Sequence, residues 1–260
     1  MIKSLCSAAS LGLTLWIMAA PVSAQPSTPL RIAESNPQEL MRQGHQAVDR
    51  GNFREAIAAY TLALQSDPDL TDAYLHRGRA HHDVGNLEQA IADFERAIQL
   101  DPTNARAIYG RGEAHIDVGN LDGAIADLSQ AIALDPNFAQ AYSDRAIARL
   151  MLGDLQSALQ DFDQTVRLDA QNPDAYYNRG KVRTALGDVD GALEDYDQAI
   201  ALNPDLAEAY GNRGMLRFEQ GDRQTGLADL RQAAAIFKQQ NNQEGYQFTA
   251  DLIRQLEATR

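Results

Sequence analysis

The chain has 260 residues with 36 acidic against 23 basic side chains, a formal charge of −13, and a single cysteine. A field that negative repels nucleic acid and anionic lipid, and one cysteine excludes an internal disulfide or a thiolate zinc site. At this length a packed core alone can hold a fold together.

The first predicted element is an export signal. "MIKSLCSAASLGLTLWIMAAPVSA" joins Lys3, an apolar run from Leu5 to Ala20, Pro21, and the small-residue sequence Val22-Ser23-Ala24. This order predicts a cleaved secretory signal over residues 1–24. The apolar run is shorter than the roughly 20 residues of a membrane span, with an uncleaved membrane anchor as the alternative. Cys6 lies ahead of most of the apolar run, badly placed for lipid attachment, and reads as a small apolar residue of the signal. Cleavage removes that cysteine and Trp16, and places the rest in a periplasmic, lumenal or secreted compartment, with no membrane span. Residues 25–36, "QPSTPLRIAESN", form a polar linker without periodicity.

From Pro37 the chain repeats every 34 residues without insertion. Gly44, Gly78, Gly112, Ala146, Gly180 and Gly214 mark one site, and Gly51, Gly85, Gly119, Gly153, Gly187 and Gly221 another. Asn or Asp follows the second glycine at 52, 86, 120, 154, 188 and 222, and prolines at 68, 102, 136 and 204 close most units. Each unit therefore reads as two helices. In unit two the first runs from about Thr71 to Val84, and Gly85 ends it in a left-handed conformation. Asn86 starts the next, with Gln89 completing a capping box. Gly78 and Ala90 let the two backbones approach, and Tyr60, Phe94, Leu128, Phe162, Tyr196 and Leu230 fill the space beside the crossings. Local departures fall mainly on units four and six: Ala146, Thr165, Ala170, Gly226 and Lys238. The stripe Tyr246, Ala250, Ile253 and Leu256 predicts a terminal helix that covers the last core face.

The period and the motif "AYLHRGRAHHDVGNLEQAIADFERAIQLDP" resemble the tetratricopeptide repeat (TPR) family, of an exported bacterial type. The resemblance implies an all-α, right-handed α-solenoid of six helix-turn-helix units (37–70, 71–104, 105–138, 139–172, 173–206 and 207–240) plus a capping helix over 241–260. It also implies a non-catalytic scaffold or assembly factor that binds a protein or peptide against its first helices. Carried onto this chain, the groove comprises Met41, Leu75, Tyr109, Ile116, Ile147, Leu150, Met151, Tyr177 and Lys181. Ile116 and Leu150 have the alternative of packing between helices. The carboxylate clamp of the family's chaperone-tail receptors does not thread here, since Asn178 and Asn212 are joined by one matching lysine, Lys181.

Arg77, Arg111, Arg145, Arg179 and Arg213 share one site, and Asp93, Asp127, Asp161, Asp195 and Asp229 another. Unit one lacks both at once, with Gln43 and Ala59 in their places. The joint absence predicts a structural ion pair inside each of units two to six; two independent solvated stripes are the alternative.

The neighbouring histidines invite a metal site built from His76, His81, His82, Asp83 and His115. However, the site of His81 and His115 holds Ala47, Arg149, Arg183 and Arg217 in other units, so it reads as half-exposed and not as a ligand position. His81 and His82 also point about 100° apart on a helix. No metal and no cofactor are expected. No nucleophile elbow, phosphate loop or His-Glu-x-x-His sequence is present, so no enzyme is expected. The expected partner is a protein or peptide with apolar anchors and basic flanks, not nucleic acid. The alternative is a carrier or sensor of a small ligand or metal in the groove.

Overall fold

The computed structural model describes residues 36–258. The signal segment and nearly all of the linker lie outside the described residues. Among the described residues the fold is thirteen helices without a strand. The first helices of the six units are α1 (Pro37–Asp49), α3 (Thr71–Asp83), α5 (Ala105–Asp117), α7 (Ala139–Met151), α9 (Pro173–Leu186) and α11 (Ala207–Glu219). The second helices are α2 (Phe53–Ser66), α4 (Leu87–Leu100), α6 (Leu121–Leu134), α8 (Leu155–Leu168), α10 (Val189–Leu202) and α12 (Arg223–Gln239), and α13 (Gln243–Ala258) follows. Each first helix packs on its own second helix, and each second helix on the next first helix. Residues contact mainly neighbouring units, which is the organisation of an α-solenoid. No described helix is long and apolar enough to cross a membrane.

The turn inside each unit is set by its second glycine. Gly51, Gly85, Gly119, Gly153, Gly187 and Gly221 have φ between +73° and +92°, a region that side-chain-bearing residues rarely adopt. The cap after it varies. Asn120, Asp154, Asp188 and Asp222 accept from the backbone N–H of Gly123, Ser157, Gly191 and Thr225. Asn86 does not form the expected cap; its Nδ2 lies 3.4 Å from His81 Nδ1. A Cβ at Gly123 would fall 2.4 Å from Asn120 Nδ2, so glycine there lets that amide close in.

The crossing residues Tyr60, Phe94, Leu128, Phe162, Tyr196 and Leu230 are all buried, at most 1% exposed. A Cβ on Gly44 would stand 2.3 Å from the Tyr60 ring, which explains the small residue at that crossing. Unit four keeps regular helices despite Ala146, which is buried beside Phe162. Unit six departs: with Lys238 where a proline would close the unit, α12 extends to 17 residues. Asn241, at φ +58°, then turns the chain into α13. That helix packs on α12, with Tyr246 against the core around Phe237.

Candidate functional site

Two sets of side chains follow the repeat, a polar one between the helices and a mixed one on the face of the first helices. The first is a ladder. Arg77, Arg111, Arg145, Arg179 and Arg213 each donate two hydrogen bonds to Asp93, Asp127, Asp161, Asp195 and Asp229, with the closest bonds at 2.6–3.0 Å. The aspartates are buried, Asp195 at 1% exposure. A paired fork of this kind is the geometry that lets a carboxylate leave water. Tyr74, Tyr142, Tyr176 and Tyr210 lie beside four of the guanidinium groups at 5.3–5.6 Å.

Two features of the ladder escaped the sequence reading. The third guanidinium nitrogen reaches into the preceding unit: Arg77 to Thr61, Arg145 to Ser129, Arg179 to Asp163 and Arg213 to Asp197. Thus each of these arginines joins two units. The sequence signal was a run of hydrogen-bonding residues at 61, 95, 129, 163 and 197. The second feature corrects the reading of the His81 and His115 site as merely half-exposed. It is a second donor position to the buried aspartate, where Arg149, Arg183 and Arg217 stand 2.6, 3.0 and 2.9 Å from Asp161, Asp195 and Asp229. His115 Nε2 lies 3.8 Å from Asp127. Arginine at this site is therefore structural, a reason different from solvent exposure.

The histidines are dispersed among separate partners. His81 faces Asn86, His82 Nε2 lies 2.8 Å from Asp117, and His76 packs against the His45 ring at 4.6 Å. Among the described residues no group of three His, Cys, Asp or Glu forms a metal-holding cluster.

The first-helix face is less uniform than the sequence suggests. Met41 and Leu75 are buried, at 9% and 5% exposure, in the clusters around Tyr60 and Phe94. Neither presents a surface to a partner: their side chains are needed to fill the gap between units one, two and three. Ile116, Ile147 and Leu150 are half-buried against the cores of units three to five. Met151 is 59% exposed at the end of α7. Tyr109 packs on Phe138 at 4.6 Å, and its hydroxyl donates to Asp144 Oδ2 at 2.7 Å. Tyr177 lies half-buried over Tyr196, with exposed Lys181 Nζ 5.4 Å from its ring.

Carboxylates that the sequence reading passed over gather at the middle of this face. Burial raises the Asp144 pKa, partly offset by the Tyr109 hydrogen bond, and burial raises that of Glu113. Burial, then Asp144, pushes the Tyr109 phenol up, so it stays a neutral donor. Arg79 and His82 lie close enough to favour ionised Glu113, but neither forms an ion pair with it. Half-buried acids at 113 and 144 were hard to pick out because 36 acidic residues hide them.

Near the N-terminal end, a cavity of about 420 Å³ lies beside His45, Tyr60 and His76. The buried Tyr60 hydroxyl has no hydrogen-bond partner there. Burial, then Asp49, pushes its pKa up to about 12.

Comparison with known proteins assigns the family. Models described as tetratricopeptide repeat match residues 41–105 and 82–150, and a TPR repeat model matches 148–187 and 180–221. No curated protein sequence matches the chain. Among solved structures, MamA is 25% identical and superposes with a TM-score of 0.60, covering 64% of this chain and 96% of its own. YrrB, described as a TPR protein with an unusual peptide-binding site, is 21% identical with a TM-score of 0.62, covering 74% and 98%. PilF of Pseudomonas aeruginosa is 19% identical with a TM-score of 0.72, covering 83% and 97%. Their likeness is one of fold. With repeat models running from residue 41 to 221 over a helix-pair solenoid, the chain belongs to the tetratricopeptide repeat family.

Proposed function

We propose that the protein is a non-catalytic scaffold or assembly factor that holds a segment of a partner protein against its first helices. One observation carries this reading: Glu113 and Asp144 are partly withdrawn from water without an ion-paired lysine or arginine, among Tyr109, Ile116 and Ile147. Withdrawn carboxylates beside apolar surface suit a segment that brings both a cation and an apolar side chain. The family supports the reading, since TPR solenoids typically mediate protein–protein interaction. The peptide-binding site named for YrrB supports it further. The proposal includes an exported compartment for the encounter, and the signal-like sequence of residues 1–24 supports that part of it.

The experiment is a pull-down from the exported fraction of the native cell. Glu113→Gln combined with Asp144→Asn, and separately Tyr109→Ala, should lose the partner. Gln198→Ala, exposed on α10, should keep it. Equal recovery by all three would overturn the reading.

The small-ligand alternative draws support from the unpartnered Tyr60 hydroxyl beside His45 and His76. Native mass spectrometry of the isolated protein, showing a bound species lost in Tyr60→Phe, would favour it.

A further inference from the structure

Along the first-helix face one position is emptied. Residue 211 in α11 corresponds to Met41, Leu75, Tyr109, Ser143 and Tyr177 of the five earlier units, and it is glycine. Close packing does not explain it. A Cβ built on Gly211 meets nothing within 4 Å, whereas Gly44 and Gly180 are pressed against tyrosine rings at 2.3 and 2.8 Å. Glycine in a helix interior costs stability relative to alanine, so this one carries a cost without a packing return. The room it leaves is part of a second cavity of about 420 Å³, formed where α13 comes over α11 and α12. Tyr177, Met215, Phe237, Phe248 and Leu252 line it with Gly211.

The cavity has a chemical sign. Its lining residues include no lysine, arginine or histidine, while Glu208 and Glu244 are both among them. Both glutamates are exposed and neither has an ion pair or side-chain hydrogen bond. Phe248 stands 71% exposed on α13. An apolar recess with two uncompensated carboxylates has the complement of an apolar side chain that carries a cation beside it.

We propose that this cavity receives an apolar anchor of the partner polypeptide, a leucine, methionine or phenylalanine, with an adjacent lysine or arginine meeting Glu208 and Glu244. The inference rests on the groove reading above and extends it to the C-terminal end of the solenoid. Under it, α13 builds half of a binding pocket as well as covering the core of unit six.

The test uses the full chain and fluorescein-labelled amidated peptides followed by anisotropy. Each peptide carries one leucine, methionine or phenylalanine between two lysines, two serines or two glutamates. Lysine-flanked peptides should bind and glutamate-flanked ones should not. Gln198→Ala, on the exposed face of α10, should bind as the parent does. Gly211→Tyr, which restores the residue of units three and five, should weaken binding at least tenfold. Phe248→Ser, at an exposed position, should do the same, which guards against misfolding of the tyrosine variant. Glu208→Gln with Glu244→Gln should remove the preference for lysine flanks. Binding undiminished in both Gly211→Tyr and Phe248→Ser overturns the proposal, as does failure of every peptide to bind. Concentration-dependent dimerisation abolished by Gly211→Tyr also overturns it, since the occupant would then be a second copy. A native partner lost by the Glu113 and Asp144 variant but kept by Gly211→Tyr would leave the groove reading standing and this proposal refuted.

Discussion

Unit one and units two to six solve the same packing problem with different chemistry. In units two to six an arginine on the first helix holds a buried aspartate on the second. In unit one Ala59 is buried in the aspartate's place, and Gln43 turns instead to Glu39 on its own helix at 3.0 Å. The difference is position in the array. An arginine in an interior unit has a preceding second helix to reach, as Arg77 reaches Thr61. Residue 43 has no preceding unit among the described residues, so a guanidinium there would find half of its partners. The ladder thus acts between units as well as within them.

The largest expected effect breaks that comparison at a rung held by two arginines. Asp161→Ala leaves Arg145 and Arg149 facing a void, and should cost about 3–5 kcal/mol in urea unfolding. A loss below about half a kcal/mol would mean that the pairs act as solvated surface charges. Next comes a transplant. Ala59→Asp alone buries an uncompensated carboxylate in unit one and should destabilise; adding Gln43→Arg should recover at least about 1 kcal/mol, read as a double-mutant coupling energy. Absence of coupling would show that the rung depends on a neighbour that unit one lacks.

A smaller effect sharpens the contrast between units one and five, which share tyrosine at the crossing. Tyr196 shares a hydrogen bond with Thr184 at 3.1 Å, while Val48 stands at the threonine's site in unit one and Tyr60 is left without a partner. Tyr196→Phe should therefore lose about 1 kcal/mol, and Tyr60→Phe should lose nothing or gain up to about 1 kcal/mol. Equal losses would show that Tyr60 finds a partner in solution.

The smallest effect is a pH dependence. Asp144 and Glu113 have folded-state pKa values above the ordinary carboxylate range, both through burial. Between the unfolded and folded values the native state binds more protons, so stability falls as pH rises through that window. Glu113→Gln should flatten this fall, seen as a smaller change in melting temperature between acid and neutral pH. An unchanged slope would mean that Glu113 titrates as a solvated side chain.

The site was partly legible in sequence, for reasons that differ from residue to residue. The arginine and aspartate pairing could be read because both sites change together in unit one. The reach into the preceding unit could not, because Thr61, Ser129, Asp163 and Asp197 share only hydrogen-bonding capacity, not identity. Met41 and Leu75 looked like groove residues because Tyr109 and Tyr177 share their register. Their burial depends on how far each unit is rotated against the next, which no single unit encodes. Sequence alone does not mark Gly211, since an empty position becomes a cavity only when α13 closes over it.

By itself the sequence determined the 34-residue period, the helix pairs, the glycine turns and the residues that fill each crossing. These are local matters: a left-handed φ, a helical stripe and a small residue opposite a ring are each specified within one unit. Only the tertiary structure decided which acids leave water without an ion-paired cation, which arginines tie units together, and where the first-helix face opens into a cavity. Those properties arise between units and at the cap, from distances among residues about 16 to 35 or more positions apart, and burial is fixed there by stacking and not by the residue's own type.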